Sequence, residues 1–472
     1  MPQTAIKNGA KLGIRLDRAD QTYIPGETLT GHVYRKDHIV TSQATLHISL
    51  HARSKSRMVA NRGHLTSTYR GRFDLIKSAH HTQTIFQGPL HITVDGREQS
   101  WRFAVQLPTH VDLSALGSGA AQDQSYVSLD AVHVLNHRLP PTFLADDYQY
   151  LSGMSAFVEY FLRAELKDLS RGSASATEAV LPFKLLYLNS EPLNAGPSFQ
   201  TSRYTRSVLS RSLITEATNA DTVQQSEDLS GCSTAPNLVF EIQVRSPTAL
   251  LINSPNPVPF SVLAIPDLTK SRNGVQYSSH EVRITHLSIK IVAKTEIKCS
   301  ARKTTHQAES QEQIDLRAED AYRRFGNALI IPWEGQAVEV QALQGNACVP
   351  AGVSSEPLNV GEKIGLRLDR NENLYATFQT YNIRHTHKLK WEITIQVAEK
   401  SFELSGEDIV RLITSPELER STDWVRPPSE DRLPSFSEYQ EALVESDMVR
   451  SSQDRRRSDA GGVGGLSRLW VL

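Results

Sequence analysis

The stretch TLHISLHARSKSR, residues 45–57, alternates apolar and polar side chains. Leu46, Ile48, Leu50 and Ala52 are apolar, whereas every odd position from 45 to 57 is polar or basic. Successive side chains of a β-strand point to opposite faces of its sheet, so this pattern predicts a strand with one buried face. One-sided burial favours antiparallel sheets packed face to face, because strands of parallel sheets are usually apolar on both faces.

The same period of two recurs in both halves of the chain. WRFAVQL (101–107) and FVEYFLRAEL (157–166) repeat it in the first half. In the second half it returns at residues 240–245, 287–291 and 389–397. We therefore predict an all-β fold.

Helical patterns are scarce. SGEDIVRLI (405–413) predicts one short helix, with Ser405 as its N-cap and acidic residues in the first turn. QEQIDLRAEDAYRRF (311–325) is an ambiguous second candidate.

Two polar segments divide the chain into domains. Residues 189–236 are rich in Ser, Thr, Asn and Gln, which predicts a flexible linker or a long loop. The polar residues after about 415 predict a disordered tail. The predicted order is a first β domain (1–188), the linker, a second β domain (237–404), and a short helix followed by the tail (405–472).

The bulk composition bounds the class of protein. The chain has 472 residues, a formal net charge of -1 and three widely spaced cysteines. The charge gives no reason to expect nucleic acid as a partner, and the odd cysteine count argues against a disulfide framework. No stretch approaches the roughly 20 apolar residues that span a bilayer. We expect a cytoplasmic protein that touches membranes only peripherally.

Residue patterns for catalysis or metal binding are not apparent. The chain shows no Gly-rich phosphate loop before a helix, no nucleophile elbow and no His-Glu-x-x-His pattern. Among the 16 histidines, the tightest pairs are His80 with His81 and His385 with His387. Neither pair has a cysteine or carboxylate cluster beside it, so we expect solvent-facing histidines, no metal site and no cofactor.

The order of segments resembles the arrestin family, in particular the fungal α-arrestin-like proteins. LGIRLDRADQTYIPGETLTGHVYR (12–35) is similar to the first hairpin of an arrestin N-domain, with Pro25-Gly26 suited to a type II turn. LVFEIQVRSPTALLINSPNPVPFSVLA (238–264) is similar to the start of the C-domain, and TYNIRHTHKLKWEITIQVAEKSFEL (380–404) to its last strands. The resemblance implies two immunoglobulin-like β-sandwiches in tandem.

This resemblance also implies a function. Such a protein would be a cytoplasmic adaptor that acts transiently at the plasma membrane or endosomes. It would recognise the cytoplasmic tails of membrane transporters or receptors and recruit a HECT-type ubiquitin ligase for their endocytosis. The alternative is a signalling scaffold or sorting subunit with the same fold and no ligase. An enzyme has little support.

A group of basic residues is the candidate cargo site. Arginine forks bind phosphate oxygens through paired, charge-assisted hydrogen bonds, and arrestins recognise acidic or phosphorylated tails with basic residues of the N-domain. The other interpretation is the solvated face of an ordinary strand. The candidate residues are Lys7, Lys11, Arg53, Lys55, Arg57 and Arg62.

The candidate ligase-docking peptide is RLPSFSEYQ, residues 432–440. Many α-arrestins present Pro-Pro-x-Tyr or Leu-Pro-x-Tyr to the WW domains of the ligase, which bind extended proline-rich peptides. Here Leu433, Pro434 and Phe436 match that pattern except for the tyrosine hydroxyl. PPSE (427–430) lacks the aromatic ring, and PPTF (140–143) is expected to form a structural turn. The missing tyrosine favours the scaffold alternative.

Overall fold

The computed structural model of the chain describes most of both predicted domains. The described residues are 4–18, 22–62, 65–94, 97–117, 121–149, 152–169, 175–186, 198–210, 213, 236–271, 280–301, 304–334, 356–368 and 374–414. Within them the secondary structure is mostly β, and three short α-helices occur. In these ranges, none of the helices has the length and apolar character needed to cross a membrane.

The described residues of the first half contain ten strands. They are β1 (Gly13–Leu16), β2 (Thr22–Tyr23), β3 (Thr28–Arg35), β4 (Ile39–Arg62), β5 (Leu65–Asp74), β6 (Thr82–Ile92), β7 (Gln99–Gln106), β8 (Phe143–Gln149), β9 (Ser152–Asp168) and β10 (Ser175–Leu185). One helix, α1 (Ala131–Asn136), and three short 3-10 turns at Ser78–His81, Leu113–Ala115 and Gln122–Gln124 interrupt them.

In the part of the second half that the structure describes, there are eleven strands. They are β11 (Phe199–Leu209), β12 (Asn237–Pro247), β13 (Ala249–Leu251), β14 (Ser261–Pro266), β15 (Val282–Ala301), β16 (Thr304–Asp315), β17 (Leu329–Ile331), β18 (Leu358–Asn359), β19 (Phe378–Gln379), β20 (Ile383–Val397) and β21 (Lys400–Ile413). Two helices, α2 (Ala318–Phe325) and α3 (Val360–Lys363), lie between them.

One large sheet runs through both halves, and each half adds a small sheet. The small sheets have the strand orders β1-β3-β7 and β11-β12-β14-β18. The large sheet follows β13-β21-β20-β15-β5-β4-β9-β10-β2, with β6, β8, β16, β17 and β19 paired beside this path. The two halves join in this sheet where Ser300 of β15 pairs with Arg70 of β5.

Each half has its own hydrophobic core. The first core collects side chains from β1, β3 and β7 on one side and from β4 and β9 on the other. The second collects them from β12 and β14 and from β15, β20 and β21. Leu46, Ile48 and Leu50 have no exposed surface, which confirms the predicted buried face of β4.

The turn at Pro25-Gly26 has the predicted geometry. The Glu27 amide donates to the Ile24 carbonyl over 3.2 Å, and Gly26 has a φ of 91°. Only glycine adopts such an angle readily at the third position of a type II turn. The turn leads into β3, which pairs with β1 in antiparallel register.

The helix predicted at 405–413 is wrong, since these residues belong to β21. Residues 400–410 of this strand pair with β20, with Gly406 opposite Trp391, and residues 411–413 pair with β13. Leu404, Val410 and Leu412 are buried with a spacing of two, so the ladder and the core outweigh the N-cap signal. A Cβ at position 406 would lie 2.4 Å from the Trp391 ring, which explains the glycine. The second domain therefore extends to residue 413.

The predicted linker also contains structure. Phe199–Leu209 forms β11, which pairs with β12 in register from residue 199 to 209. The Tyr204 ring meets Trp391 edge-on at 5.7 Å. The sequence pattern did not indicate this strand, because most of its side chains face solvent and are polar. The ambiguous segment 311–325 divides into the end of β16 and the helix α2.

Candidate functional site

A belt of basic side chains crosses one face of the large sheet in the first half. Arg53, Lys55 and Arg57 project from β4, and β5 runs antiparallel beside it. Residues directly opposite each other in such a pair point to the same face, with Cβ atoms about 4.5–5.5 Å apart. We call the following set the basic face: Arg53, Lys55 and Arg57 of β4, Arg70 and Arg72 of β5, and Arg163 of β9.

Like charges stand opposite each other on this face. Arg57 is the cross-strand partner of Arg70, and Lys55 is the partner of Arg72. Like charges directly opposite each other weaken the pairing of two strands, so a bound anion would be favourable here. The arrangement is suited to binding an anion.

One buried carboxylate organises the other end of the basic face. Glu159 of β9 is the cross-strand partner of Arg53 and is only 6% exposed. It accepts from Arg53 Nε, and Lys55 Nζ lies 3.6 Å from the same oxygen. Its second oxygen accepts from the backbone amide of Thr4 over 2.7 Å. Glu159 thus neutralises part of the basic face and ties the N-terminal segment to it.

Two aromatic rings support the same cations. The Arg53 guanidinium lies 5.1 Å from the centre of the Phe161 ring, and Lys55 Nζ lies 5.3 Å from that of Phe157. His51 stacks on the same Phe161 ring, with the two ring centroids 4.9 Å apart. Burial, followed by the nearby Arg163, lowers the pKa of His51 to about 4.

Arg53 and Lys55 do not lie on the solvated face of an ordinary strand, which was the other interpretation of this group. Lys55 is 8% exposed, and the Arg53 side chain is 18% exposed. Burial lowers the pKa of Lys55, and the neighbouring Arg53 lowers it further. On the basic face, Arg70 and Arg72 are exposed instead. Arg72 Nη2 lies 2.9 Å from Asp74 Oδ1.

The remaining sequence candidates lie in different places. Lys7 is exposed and contacts Glu178 over 3.0 Å, which also pairs with Arg163, so it borders the basic face. Lys11 lies beside β3, where its carbonyl accepts from Arg35 over 2.6 Å. Arg62 ends β4, and its side chain lies outside the described part of the structure.

Sequence reasoning missed Arg70, Arg72 and Arg163. These residues are 13 or more positions away from Arg57 along the chain, and only strand pairing brings them to the same face. Arg70 and Arg72 do share the spacing of two that marks one face of a strand, which was the available signal.

The opposite side chains of the same strands form the junction with the second half. Ser54 and Ser56 continue the parity of Leu50 and Ala52 and are buried. Ser54 Oγ donates to Asn382 Oδ1 over 2.6 Å, and Asn382 Nδ2 donates to Ser56 Oγ over 2.8 Å. The Lys298 amide in turn donates to the Asn382 carbonyl over 3.0 Å. A buried polar network therefore joins β4 to β15 through Asn382, the residue that precedes β20.

The prediction of solvent-facing histidines at 385 and 387 is wrong. The two residues are 3% and 1% exposed, and burial lowers the pKa of both, that of His387 to about 4. Their parity is that of Leu389 and Trp391, so the sequence did contain the signal for the buried face. Among the described residues no group of three His, Cys, Asp or Glu side chains could hold a metal ion.

The proline-rich candidates have separate outcomes. PPTF (140–143) is part of the folded structure but does not form the predicted turn, since residues 140–142 are irregular and lead into β8. Phe143 is 1% exposed, and the Pro140 carbonyl accepts from Tyr160 Oη over 2.6 Å. Leu433, Pro434 and Phe436, together with PPSE, lie outside the described residues.

Comparison with known proteins assigns no family. No protein-family model matches the chain, and a search of curated proteins finds no significant match.

Proposed function

We propose that this protein is an arrestin-like adaptor that binds acidic or phosphorylated segments of membrane transporters or receptors through the basic face. The observation that carries the proposal is the pair of opposed cations Arg57 and Arg70. A phosphate bound between these two guanidinium groups would accept paired, charge-assisted hydrogen bonds from both. Cargo binding would then stabilise the sheet that presents the site.

The architecture supports the fold part of this proposal. Each half has a core enclosed between a small sheet and part of the large sheet, as in a β-sandwich. Two of the segments that resemble arrestins contain strands of these sheets: residues 12–35 include β1 to β3, and residues 380–404 include β20 and the start of β21. We therefore propose two immunoglobulin-like sandwiches in tandem.

Charge reversal on the exposed strand tests the cargo site. We expect Arg70→Glu to weaken binding of a doubly phosphorylated acidic peptide about 10- to 100-fold, because a charge-assisted contact contributes about 1.5–3 kcal/mol. The melting temperature should stay equal or rise, since the new carboxylate would face Arg57. Fluorescence anisotropy at two salt concentrations measures the binding.

Arg102→Glu is the matched control for this charge reversal. Arg102 is an exposed strand residue of β7, in the separate small sheet, so the variant has the same net charge change away from the basic face. An equal loss of peptide affinity in both variants would show that only the net charge of the protein matters, which would contradict the proposed site. Unchanged binding in Arg70→Glu would contradict it as well.

Recruitment of a HECT-type ubiquitin ligase through Leu433, Pro434 and Phe436 is the second part of the proposal. In peptides of residues 426–442, we expect Phe436→Tyr to bind isolated WW domains about three- to tenfold more tightly, because one hydrogen bond contributes about 0.5–1.5 kcal/mol. Pro434→Ala should abolish binding, and Ser437→Ala serves as the neutral control. If the Phe436→Tyr peptide binds WW domains no more tightly than the wild-type peptide in titration calorimetry, ligase recruitment is contradicted. A scaffold or sorting function without a ligase is then the better proposal.

A further inference from the structure

Strand β11 is an edge of the small sheet in the second half. Its residues Phe199–Leu209 pair with β12 on one side, and no other strand of the described residues pairs with it. The strand is 11 residues long and contains no proline, glycine or lysine, and its register with β12 has no bulge. Proteins usually protect a sheet edge with such residues, with a bulge or with a very short strand. β11 has none of these protections.

The backbone groups of β11 that point away from β12 belong to its odd-numbered residues. The Thr248 amide donates to the Ser198 carbonyl over 2.9 Å, and this pair continues the register of the two strands. Bonded and non-bonded pairs alternate along an antiparallel ladder, so even-numbered residues bond to β12 and odd-numbered ones face the open edge. Among the described residues, only Arg206 bonds to an outward group, because its Nη1 donates to the Thr205 carbonyl over 2.9 Å. That carbonyl has a second lone pair.

The facing sheet does not cover this edge. Side chains of β11 reach the neighbouring strand β21, where Tyr204 Oη donates to the Ser405 carbonyl and Gln200 Nε2 donates to the Ile409 carbonyl, each over 2.8 Å. These contacts satisfy backbone groups of β21 through even-numbered side chains of β11. They leave the outward amides of β11 available.

From these features we infer that β11 pairs with β11 of a second copy of this chain, in antiparallel register about a two-fold axis at Tyr204. Residue 199 of one copy would lie opposite residue 209 of the other, so odd-numbered residues always meet odd-numbered ones. The outward amides and carbonyls of the two strands then become partners of each other. This register uses the whole strand, and a two-fold axis makes the interface self-complementary. The inference does not depend on the proposed adaptor function.

The side chains of β11 favour the same register. Phe199 is 40% exposed and Leu209 is 51% exposed, and each would lie opposite the other across the interface, at both ends of the paired strands. Side chains directly opposite each other are about 4.5–5.5 Å apart at Cβ, so the two apolar groups would cover each other. Arg203 would lie opposite Thr205, and the second arginine of the strand would lie opposite a serine. Like charges are therefore not directly opposed.

Sedimentation velocity of the full-length protein over a range of concentrations tests this pairing. The interface is small, so we expect a weak, reversible equilibrium between monomer and dimer. Ser207→Pro should weaken dimerisation at least about tenfold, because proline removes an outward amide of β11 and none that bonds to β12. Ser207→Ala keeps the amide and should dimerise like the wild type.

Two charge substitutions test the register itself. Phe199→Lys and Leu209→Glu should each weaken dimerisation at least about threefold, since each places a charge opposite an apolar residue of the other copy. The double variant should recover the wild-type affinity, because each introduced lysine would then lie opposite an introduced glutamate. Within one copy these positions are at opposite ends of the strand and cannot pair. Val40→Lys is the matched control, since Val40 is a 58% exposed strand residue of the first half, and dimerisation should stay unchanged.

Circular dichroism melting verifies that every variant is folded. A protein that stays monomeric at all concentrations would overturn the inference. A dimer that persists unchanged in folded Ser207→Pro would overturn it too, because another surface would then hold the two copies together. A double charge variant that dimerises no better than the single variants would contradict the pairing about Tyr204.

Discussion

Glu159→Ala is expected to lower the free energy of unfolding by about 3–5 kcal/mol. Glu159 is 6% exposed and accepts from Arg53, with Lys55 Nζ at 3.6 Å. Removing its carboxylate leaves two cations in a poorly solvated position, which costs more than the lost attraction alone. Denaturant unfolding followed by tryptophan fluorescence measures the change.

A carboxylate on the same strand provides the comparison for this variant. Glu165 has a more exposed side chain and lies 3.5 Å from Lys167, so Glu165→Ala should cost less than about 1 kcal/mol. Glu159→Gln, which keeps the volume and loses the charge, should fall between the two. A loss below about 1 kcal/mol in Glu159→Ala would show that solvent already screens the two cations.

Gly71→Ala is expected to destabilise the protein by roughly 2–3 kcal/mol and to loosen the junction between its halves. A Cβ at this position would lie 2.4 Å from Ser56 Oγ and 2.6 Å from the Lys298 carbonyl. Ser56 is held by Asn382, and the carbonyl belongs to β15, so neither can yield without moving the junction. Hydrogen exchange of the Lys298 amide should become faster.

Gly117→Ala separates this local clash from the general effect of replacing a glycine. No atom lies within 4 Å of a Cβ at position 117, so we expect a change near zero in both unfolding and exchange. If Gly71→Ala behaves like Gly117→Ala, β5 and β15 are not packed closely enough to couple the halves.

The alternating pattern made the buried faces predictable at particular residues. Leu46, Ile48 and Leu50 in the first half, and Ile289 and Trp391 in the second, lie in the cores because a period of two places them on one face. The turn at Gly26 was predictable for an equally local reason, since its positive φ favours glycine.

The errors arose where the local signal and the tertiary contacts disagree. Ser405 and the acidic residues after it are typical of a helix start, but pairing with β20 gives those backbone groups partners, and Val410 and Leu412 of the same strand are buried. Polarity marked Phe199–Leu209 as a linker, although a strand at the surface needs few apolar residues if its backbone pairs with β12.

The sequence by itself therefore determined the class of fold, because side-chain alternation depends only on the geometry of a single strand. It also placed Arg53, Lys55 and Arg57 on a common face of β4. Only the tertiary structure decided what those cations meet. Strand pairing sets residues distant along the chain a few ångströms apart, so it brought Arg70 opposite Arg57 and buried Glu159 between Arg53 and Lys55.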